Sequence, residues 1–196
     1  MPKVGMQPIR KDALVKATIV EIGRMGSLDV TVAQIAKRAG MSSALAHHYF
    51  GSKEEMFLAA MRHILSLYGA EVRGALTVVQ RPEDRLRALV LANFSAGNFR
   101  REVISAWLNF WVLAQTVPQA RRLLKIYHGR LRSNLLAALR PIAGDSAVEL
   151  ADGLGAVIDG VYLREALKSG TPDSRAATEI ALNYLNSHLK GQRHEG

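Results

Sequence analysis

Apolar residues recur every three or four positions along almost the whole chain, which is the spacing of a helix with one buried face. Val15, Ile19 and Ile22 mark such a face on a first predicted helix, which runs from about Ile9 to Met25 and is followed by Gly26. No stretch of the sequence alternates apolar and polar residues as a strand does. The pattern therefore predicts an all-α protein.

Proline and glycine residues divide this helical pattern into segments. Beyond residue 52 the predicted helices span residues 53 to about 72, 82–99, a segment ending at 116, 118–141, 146–169 and 173–190. The last two form a pair that is split at Gly170, and the polar residues after 190 are expected to be a frayed tail.

Two short helices joined by a tight turn are predicted between residues 31 and 50. Thr31 is placed to cap the first helix, and Gln34 completes a capping box three residues later. Gly40 lies where that helix must end, because glycine takes the left-handed conformation without a Cβ penalty. Ser42 then caps a second helix, roughly residues 43–49. This helix-turn-helix layout is the one that inserts a helix into the major groove of DNA.

The exposed side of the second helix predicts which side chains contact DNA. Four of them are expected to face base edges from its first two turns: Ser42, Ser43, Ala44 and His47. Four more, near helix ends, are expected to reach phosphate oxygens: Thr31, His48, Tyr49 and Lys53. A helix–glycine–helix corner also occurs in ordinary helical bundles. The combination with a second predicted capping box, Ser52 and Glu55, favours the DNA-binding interpretation.

Charge agrees with an anionic partner but is not concentrated on this motif. The 196-residue chain has a formal net charge of +9. Residues 100–140 hold eight lysines and arginines against one acidic residue, whereas residues 141–196 are net acidic. The basic segment is expected to be a solvated face, with DNA contact or ion pairs to the acidic segment as open alternatives.

The sequence lacks the residue patterns that enzymes use. There is no cysteine, so disulfides and thiolate metal sites are excluded, which fits a reducing cytoplasm. The histidines show no metal-ligand spacing, and no phosphate-binding loop or nucleophile elbow is present. We therefore expect no catalytic residue, no metal and no cofactor. Apolar segments are too interrupted to span a bilayer, and no membrane association is expected.

Residues 31–57 resemble the signature of the TetR family of one-component bacterial regulators. The matching positions are Thr31, Ile35, Ala36, Ala39, Gly40, Ser42, Tyr49, Phe50, Lys53 and Glu54. Ala44 and His47 depart from it, since the family favours glycine and tyrosine there. The resemblance implies a TetR-like fold: a helix-turn-helix domain over residues 1–52, a helical effector-binding and dimerisation domain over 53–190, and a flexible tail over 191–196.

Other segments resemble one branch of that family, the choline-sensing repressors of glycine betaine synthesis. The matching segments are residues 1–10, 106–111, 132–135 and 154–164. The resemblance implies a cytoplasmic repressor of osmoprotectant genes that binds double-stranded operator DNA and is relieved or modulated by choline in its C-terminal bundle. The alternatives are a TetR-type repressor with another cationic or lipophilic effector, as in efflux regulation, and, more remotely, a helical enzyme.

A choline site requires aromatic faces and a nearby carboxylate, because a quaternary ammonium has no N–H to donate. The candidates lie on the helices that would enclose such a site: Phe94, Trp107, Phe110, Trp111, Asp159 and Tyr162. The alternative is that the aromatic residues are ordinary core and that Asp159 pairs with an arginine such as Arg121 or Arg164.

The segment 146–169 is unusually rich in small residues, including Gly153, Gly155, Ala156 and Gly160. Glycine costs about 1 kcal/mol relative to alanine inside a helix, so close packing is expected there. This predicts a homodimer through the last two helices, with close packing within one chain as the alternative. We expect choline to move the connecting helix, residues 53 to about 72, and so change the spacing of the two DNA-reading heads.

Overall fold

The computed structural model describes residues 5–192, without the side chains of residues 190–192. Within that range the chain forms nine α-helices and no strand, which confirms the all-α prediction. The helices are α1 (Met6–Met25), α2 (Val32–Arg38), α3 (Ser43–Phe50), α4 (Lys53–Thr77), α5 (Pro82–Asn93), α6 (Arg101–Thr116), α7 (Pro118–Ala143), α8 (Ala147–Leu167) and α9 (Ser174–Gln192), with a 3-10 turn at Gly144–Ser146. The first four residues of the matched segment 1–10 and the last four of the predicted tail lie outside the described residues. Residues 191 and 192 continue α9.

The helices form two compact units that do not follow the chain order. One unit comprises Met1–Ile64 with Arg101–Leu123, and the other comprises Leu65–Arg100 with Leu124–Gly196. Helices α4 and α7 therefore each contribute to both units. The boundary expected after residue 52 falls inside the first unit, which also contains α6. None of the helices over residues 5–192 is long and apolar enough to cross a membrane.

Helix α1 is the centre of the first unit, where it packs against both α2 and α6. Its close approach to α6 depends on Gly23, because a Cβ at that position would lie only 2.5 Å from the Cα of Glu102. A second contact fixes the end of α1, where the Asn109 amide of α6 donates to the Gly26 carbonyl at 3.3 Å. The crossing therefore brings the backbone of α1 directly against that of α6 at Gly23.

A buried carboxylate joins α1 to α2. Glu21 is only 5% exposed, and its carboxylate accepts from the Arg38 guanidinium of α2 and from Arg24 at 3.4 Å. A carboxylate without such partners would be costly to bury. This pair could not be predicted from the sequence, because the partners are 17 residues apart and Glu21 occupies an otherwise apolar helix face.

In the second unit, the prediction that α5 continues to Phe99 is wrong. The helix ends at Asn93, and residues 94–100 form turns in which the Ser95 carbonyl accepts from the N–H groups of Asn98 and Phe99. The Asn98 side chain also donates to the Ala92 carbonyl at 3.0 Å, which closes the end of the helix. Serine, glycine and asparagine residues favour such turns over helix.

Helices α8 and α9 pack together within one chain. A Cβ at Gly153 would lie 1.9 Å from the Tyr184 hydroxyl of α9, so this glycine serves intrachain packing. In contrast, no atom lies within 4 Å of a Cβ placed at Gly155 or Gly160. Of these three glycines of α8, Gly153 therefore faces α9, whereas Gly155 and Gly160 face open space.

The Gly23 crossing gives a stability prediction. Gly23→Ala should lower the free energy of unfolding by about 1–3 kcal/mol, because the new methyl group meets backbone rather than a movable side chain. The measurement is urea denaturation of the purified protein. Gly74→Ala is the matched control, since a Cβ there meets nothing within 4 Å, and it should raise the free energy by up to about 1 kcal/mol. Equal effects of the two substitutions would contradict the tight crossing.

Candidate DNA-reading surface and ligand cavity

The turn between α2 and α3 is fixed by backbone and side-chain hydrogen bonds at both helix ends. The Thr31 hydroxyl accepts from the Gln34 N–H at 3.2 Å, and the Gln34 side chain accepts from the Thr31 N–H at 2.7 Å, which confirms the predicted capping box. At the other end Gly40 has φ 67°, and the Met41 N–H donates to the Ala36 carbonyl at 2.9 Å. This is a Schellman ending, which needs a left-handed residue at Gly40.

Helix α3 packs on the first unit through Ala46 and several half-buried side chains. Ala46 is 0% exposed and is the only buried residue of α3, whereas Leu45 is half-buried. The Ser42 hydroxyl accepts from the Leu45 N–H at 3.2 Å and so caps the helix as predicted. One side of α3 therefore remains accessible.

The predicted DNA contacts lie on that accessible surface. Six of the eight are exposed: Thr31, Ser42, Ala44, His47, His48 and Lys53. Ser43 and Tyr49 are half-buried. We define the reading face as Ser42, Ser43, Ala44 and His47. None of these side chains is buried in the first unit, so the geometric requirement for entry into a groove is met.

Two of these residues also make contacts within the chain. The Lys53 ammonium donates to the Leu28 carbonyl at 3.2 Å and lies 5.6 Å from the centre of the Phe57 ring. An ammonium has three N–H groups, so donors remain for a phosphate. The His47 Nδ1 lies 3.2 Å from the Gly51 carbonyl oxygen, which leaves Nε2 for a base edge or phosphate.

The second predicted capping box is only partly formed. The Ser52 hydroxyl accepts from the Glu55 N–H at 3.1 Å, as expected at the start of α4. The Ser52 N–H, however, donates to the Phe50 carbonyl at 2.8 Å instead of to the Glu55 side chain. The tight turn at Gly51 therefore uses the Ser52 N–H, which in a complete capping box would donate to the Glu55 side chain.

The six predicted effector residues are divided between the two units. Trp107, Phe110 and Trp111 are on α6 in the first unit, where the two indole rings lie 6.4 Å apart. Phe94 and Tyr162 are in the second unit, where their rings stack at 5.9 Å. The Tyr162 hydroxyl donates to the Asn93 carbonyl at 2.5 Å, so this ring is held within the core of its unit.

Asp159 pairs with His128, which the sequence did not indicate as its partner. Its carboxylate lies 3.3 Å from the His128 Nε2 of α7, on a partly exposed surface. Arg121, one of the suggested partners, donates instead to the Ala114 and Gln115 carbonyls at the end of α6, at 3.0 and 2.5 Å. The suggestion of an arginine partner is therefore wrong for Arg121, and the partner of Asp159 is the His128 imidazole.

One arginine of the basic segment does pair with the acidic segment. The Arg132 guanidinium makes two hydrogen bonds to the Asp152 carboxylate of α8, at 2.6 and 3.3 Å. This contact holds the pKa of the Asp152 carboxyl below its ordinary value. Both side chains are exposed, so the pair mainly orients α7 against α8.

A cavity of about 590 Å³ lies between α4 and α7 inside the second unit. Its wall includes an aromatic ring, a glycine and an arginine from each helix: Tyr68, Gly69 and Arg73 from α4, and Tyr127, Gly129 and Arg130 from α7. The Tyr68 and Tyr127 rings meet edge to face at 5.4 Å. Neither tyrosine could be recognised as a site residue from the sequence, because each occupies an ordinary core position in its own helix.

The electrostatic environment of these tyrosines is negative. Burial raises the pKa of Tyr68 and Tyr127 well above the ordinary tyrosine value, and the charge of Asp159 raises both further. Glu71 adds to the effect at Tyr68, while the Asn93 amide opposes it. Both phenols are therefore neutral at physiological pH, in a region that favours a positive charge.

Two buried polar atoms near this wall make no hydrogen bond within residues 5–192. They are the Tyr68 hydroxyl and the Asn93 Oδ1. Buried polar atoms are nearly always hydrogen-bonded in folded proteins. The two groups lie close enough for the Asn93 amide to lower the pKa of Tyr68, so they are neighbours of each other.

Two family models match this chain, one over the helix-turn-helix part and one over the C-terminal helices. Residues 14–60 match the model of bacterial regulatory proteins of the tetR family, and residues 82–190 match the C-terminal domain of BetI-type transcriptional repressors. The HTH-type transcriptional regulator BetI of Brucella anthropi is 46% identical over 194 residues, covering 98% of this chain and all of that protein. The BetI regulator of Rhizobium meliloti is 44% identical, covering 97% of this chain and 94% of its own.

Solved structures show the same fold. A transcriptional regulator from Saccharomonospora viridis in complex with choline superposes with a TM-score of 0.81 at 23% identity, over 90% of this chain and 95% of that one. A regulator from Rhodococcus also reaches 0.81 at 22% identity, over 92% of this chain and 96% of its own. At sequence identities of 22–23%, these superpositions establish the fold of the chain.

Proposed function

Since the chain belongs to the TetR family of bacterial transcriptional regulators and has a BetI-type C-terminal domain, we propose that it is a repressor of choline-to-glycine-betaine genes and that choline relieves the repression. The observation that carries the DNA-binding part is the accessible reading face on α3, in which Ser42, Ala44 and His47 are exposed. The BetI regulators with 44–47% identity over nearly the full length support the choline part.

In this proposal the reading face contacts base edges while Thr31, His48, Tyr49 and Lys53 bind the flanking phosphates. Serine hydroxyls donate or accept, and the Ala44 methyl contacts a thymine methyl. The phosphate contacts set the register and supply most of the salt-dependent affinity. The operator sequence depends on Ala44 and His47, the two positions that depart from the family signature.

Choline binds in the cavity between α4 and α7, against the Tyr68 and Tyr127 rings. Aromatic faces hold a quaternary ammonium through their electron density, and the charges of Glu71 and Asp159 add attraction from behind the rings. The choline hydroxyl is a suitable partner for the unsatisfied Tyr68 hydroxyl. Phe94 and Tyr162 support this site from the core of the second unit, and roles for Trp107, Phe110 and Trp111 remain predictions.

Choline relieves repression through a shift between two conformations of the regulator. Helix α4 carries Lys53 at its first residue and Tyr68 further along, so a ligand that selects one position of α4 also affects the DNA-binding end. A ligand shifts such an equilibrium only by its difference in affinity for the two states, typically about 1–3 kcal/mol. This corresponds to a 5- to 150-fold change in operator affinity.

The functional unit is a homodimer formed through α8 and α9. Gly155 and Gly160 face open space, and the exposed apolar residues Leu163 and Ile180 lie on the same two helices. Small residues allow close approach of a second copy, and a two-fold axis places the heads one DNA turn or a multiple of it apart. Gly153 does not contribute, because it is used within the chain.

A second candidate function is a TetR-type repressor with a larger cationic or lipophilic effector. It is favoured by the cavity volume of about 590 Å³, which is in the range of pockets for drug-sized ligands. Calorimetric titration separates the two candidates. Choline binding at micromolar to millimolar concentration supports the first, and binding of a bulky lipophilic cation without choline binding supports the second.

Lys53 gives a test of the phosphate contacts. Lys53→Gln removes the charge but keeps the stem that packs on Phe57, so operator affinity should fall for every sequence tested. The slope of log K against log salt should become less steep by about 0.9 for each head, hence about 1.8 for a dimer. The measurement is fluorescence anisotropy with operator DNA at several salt concentrations.

Lys168→Gln is the matched control for this experiment. Lys168 is an exposed lysine at the end of α8, outside both the predicted DNA contacts and the basic segment 100–140. Its replacement should leave the salt slope unchanged. The phosphate assignment fails if Lys53→Gln behaves like the control.

Tyr127 gives a test of the choline site. Tyr127→Leu keeps an apolar side chain but removes the ring, and choline affinity should fall by about 5- to 30-fold. Tyr127→Phe keeps the ring and should bind choline nearly as well as the unaltered protein. Both affinities are measured by calorimetry, with the melting temperature as a check on folding. A similar loss for both variants, or for neither, would remove the ring from the site.

Gly155 gives a test of the dimer. Gly155→Arg places a charged side chain in open space of the single chain, so it should not disturb the fold of one copy. It should convert dimer to monomer in analytical ultracentrifugation and weaken operator binding at least tenfold. Gly74→Arg also points into open space, on α4, and should remain dimeric. A dimeric Gly155→Arg protein would place the interface elsewhere.

A further inference from the structure

We propose that Lys11 of α1 is a further phosphate-binding residue, so that the DNA contacts extend beyond the helix-turn-helix to the first helix of the chain. The group it binds is a phosphodiester of duplex DNA. This inference rests on the proposed function, because it concerns the same DNA-binding domain. The tetR family model matches residues 14–60 and does not include Lys11, and none of the eight predicted contacts lies on α1.

The side chain of Lys11 reaches from α1 to the end of α3. Its ammonium nitrogen lies 6.0 Å from the centre of the Phe50 ring, and Phe50 is the last residue of α3. The two residues before Phe50, His48 and Tyr49, are predicted phosphate contacts at that end of the helix. A cation from α1 is therefore held beside one end of the helix that is proposed to enter the groove.

Lys53 is held in the same way at the start of α4. Its ammonium lies 5.6 Å from the centre of the Phe57 ring. Lys53 is exposed and Lys11 is half-buried, so each side chain lies against a ring without being enclosed. A side chain that is already held in place loses less conformational freedom when it binds a ligand. Lys11 therefore has the same local arrangement as the lysine that is proposed to bind phosphate.

No acidic partner neutralises the charge of Lys11 within the described part of the chain. The two acidic residues of α1 are paired with other cations. Asp12 lies 2.7 Å from the Lys16 ammonium, and Glu21 binds the Arg38 guanidinium. The remaining ion pairs of the described residues do not include Lys11 either. An ammonium without a carboxylate partner on the protein favours an anionic group from outside it.

A purely internal role is the alternative for Lys11. Its ammonium would then serve only to attach α1 to α3 through the Phe50 ring. Cation–π contacts at partly exposed sites are weak, and 6.0 Å is at the outer limit of the distance at which they act. The attachment of α1 depends instead on the Gly23 crossing and on the Glu21–Arg38 pair. The stability of the fold therefore gives little reason for a cation at this position.

Lys11→Gln tests the contact, because it removes the charge and keeps a polar side chain. Fluorescence anisotropy of the full-length protein is measured at several salt concentrations with a duplex of the DNA upstream of its own gene. Affinity should fall by about 5- to 10-fold for each head at about 0.1 M salt, and the slope of log K against log salt should become less steep by about 0.9 for each head. A random-sequence duplex should lose affinity by a similar factor, since phosphates carry no sequence information.

Two further variants separate charge from packing. Lys11→Arg keeps the charge and should retain both the affinity and the salt slope of the unaltered protein. Lys168→Gln removes one positive charge at the end of α8 and should change neither. The melting temperature of Lys11→Gln should stay within about 2 °C of that of the unaltered protein, because only a weak surface contact is lost.

Three results would overturn the inference. The first is a Lys11→Gln protein with the same affinity and salt slope as the Lys168→Gln control. The second is a loss of affinity without any change in slope, and the third is an equal loss in Lys11→Gln and Lys11→Arg, since either would mean that packing matters and charge does not. In each case the unaltered protein still binds its upstream duplex, so the proposed function stands.

Failure of the proposed function has a different outcome. The unaltered protein would then bind the upstream duplex no more tightly than the random-sequence duplex. A less steep salt slope of Lys11→Gln on the random-sequence duplex would still support the phosphate contact. If the unaltered protein binds neither duplex, the inference fails together with the proposed function.

Discussion

The packing of the buried Ala46 methyl group sets the position of α3 in the first unit. Ala46 is the only residue of this helix that is fully enclosed, and hydrogen bonds at Ser42 and Gly51 fix the two ends of the helix. A larger side chain at this position would lift α3 away from its support, because well-packed interiors do not accept added volume without strain. The exposed side of α3, which carries Ser42, Ala44 and His47, is not used in this packing. The proposed reading of DNA depends on that exposed side.

Helix α1 provides the support that gives the reading face a fixed orientation. The Glu21–Arg38 ion pair joins it to α2, while the Gly23 crossing and the Asn109–Gly26 hydrogen bond join it to α6. These contacts are short and mostly involve backbone or buried charge, so small displacements are costly. The first unit is therefore held together across α1, α2 and α6.

Local signals made the helix-turn-helix predictable from the sequence, whereas the ligand cavity depends on contacts between distant residues. Thr31, Gly40 and Ser42 act within four residues of themselves, and the structure has each in its expected role. Tyr68 and Tyr127 are 59 positions apart, and each fits the apolar periodicity of its own helix, so only the tertiary arrangement reveals the pair. The end of α5 was predicted wrongly because helical spacing continues to Phe99, while Ser95 and Asn98 provide competing turn hydrogen bonds.

The most direct measurement uses the absence of cysteine from the chain. A single cysteine replacing Ala44 is conjugated to an iron chelate that cuts DNA, and the modified protein is bound to the DNA upstream of its own gene. The account predicts cuts clustered in two major-groove segments, one per half-site and about one or two helical turns apart. The same chelate at Val78, which is 81% exposed and lies outside the reading face, should cut without such clustering. Equal cutting from both positions while the protein remains bound would contradict the account, because α3 would then not be the helix that enters the groove.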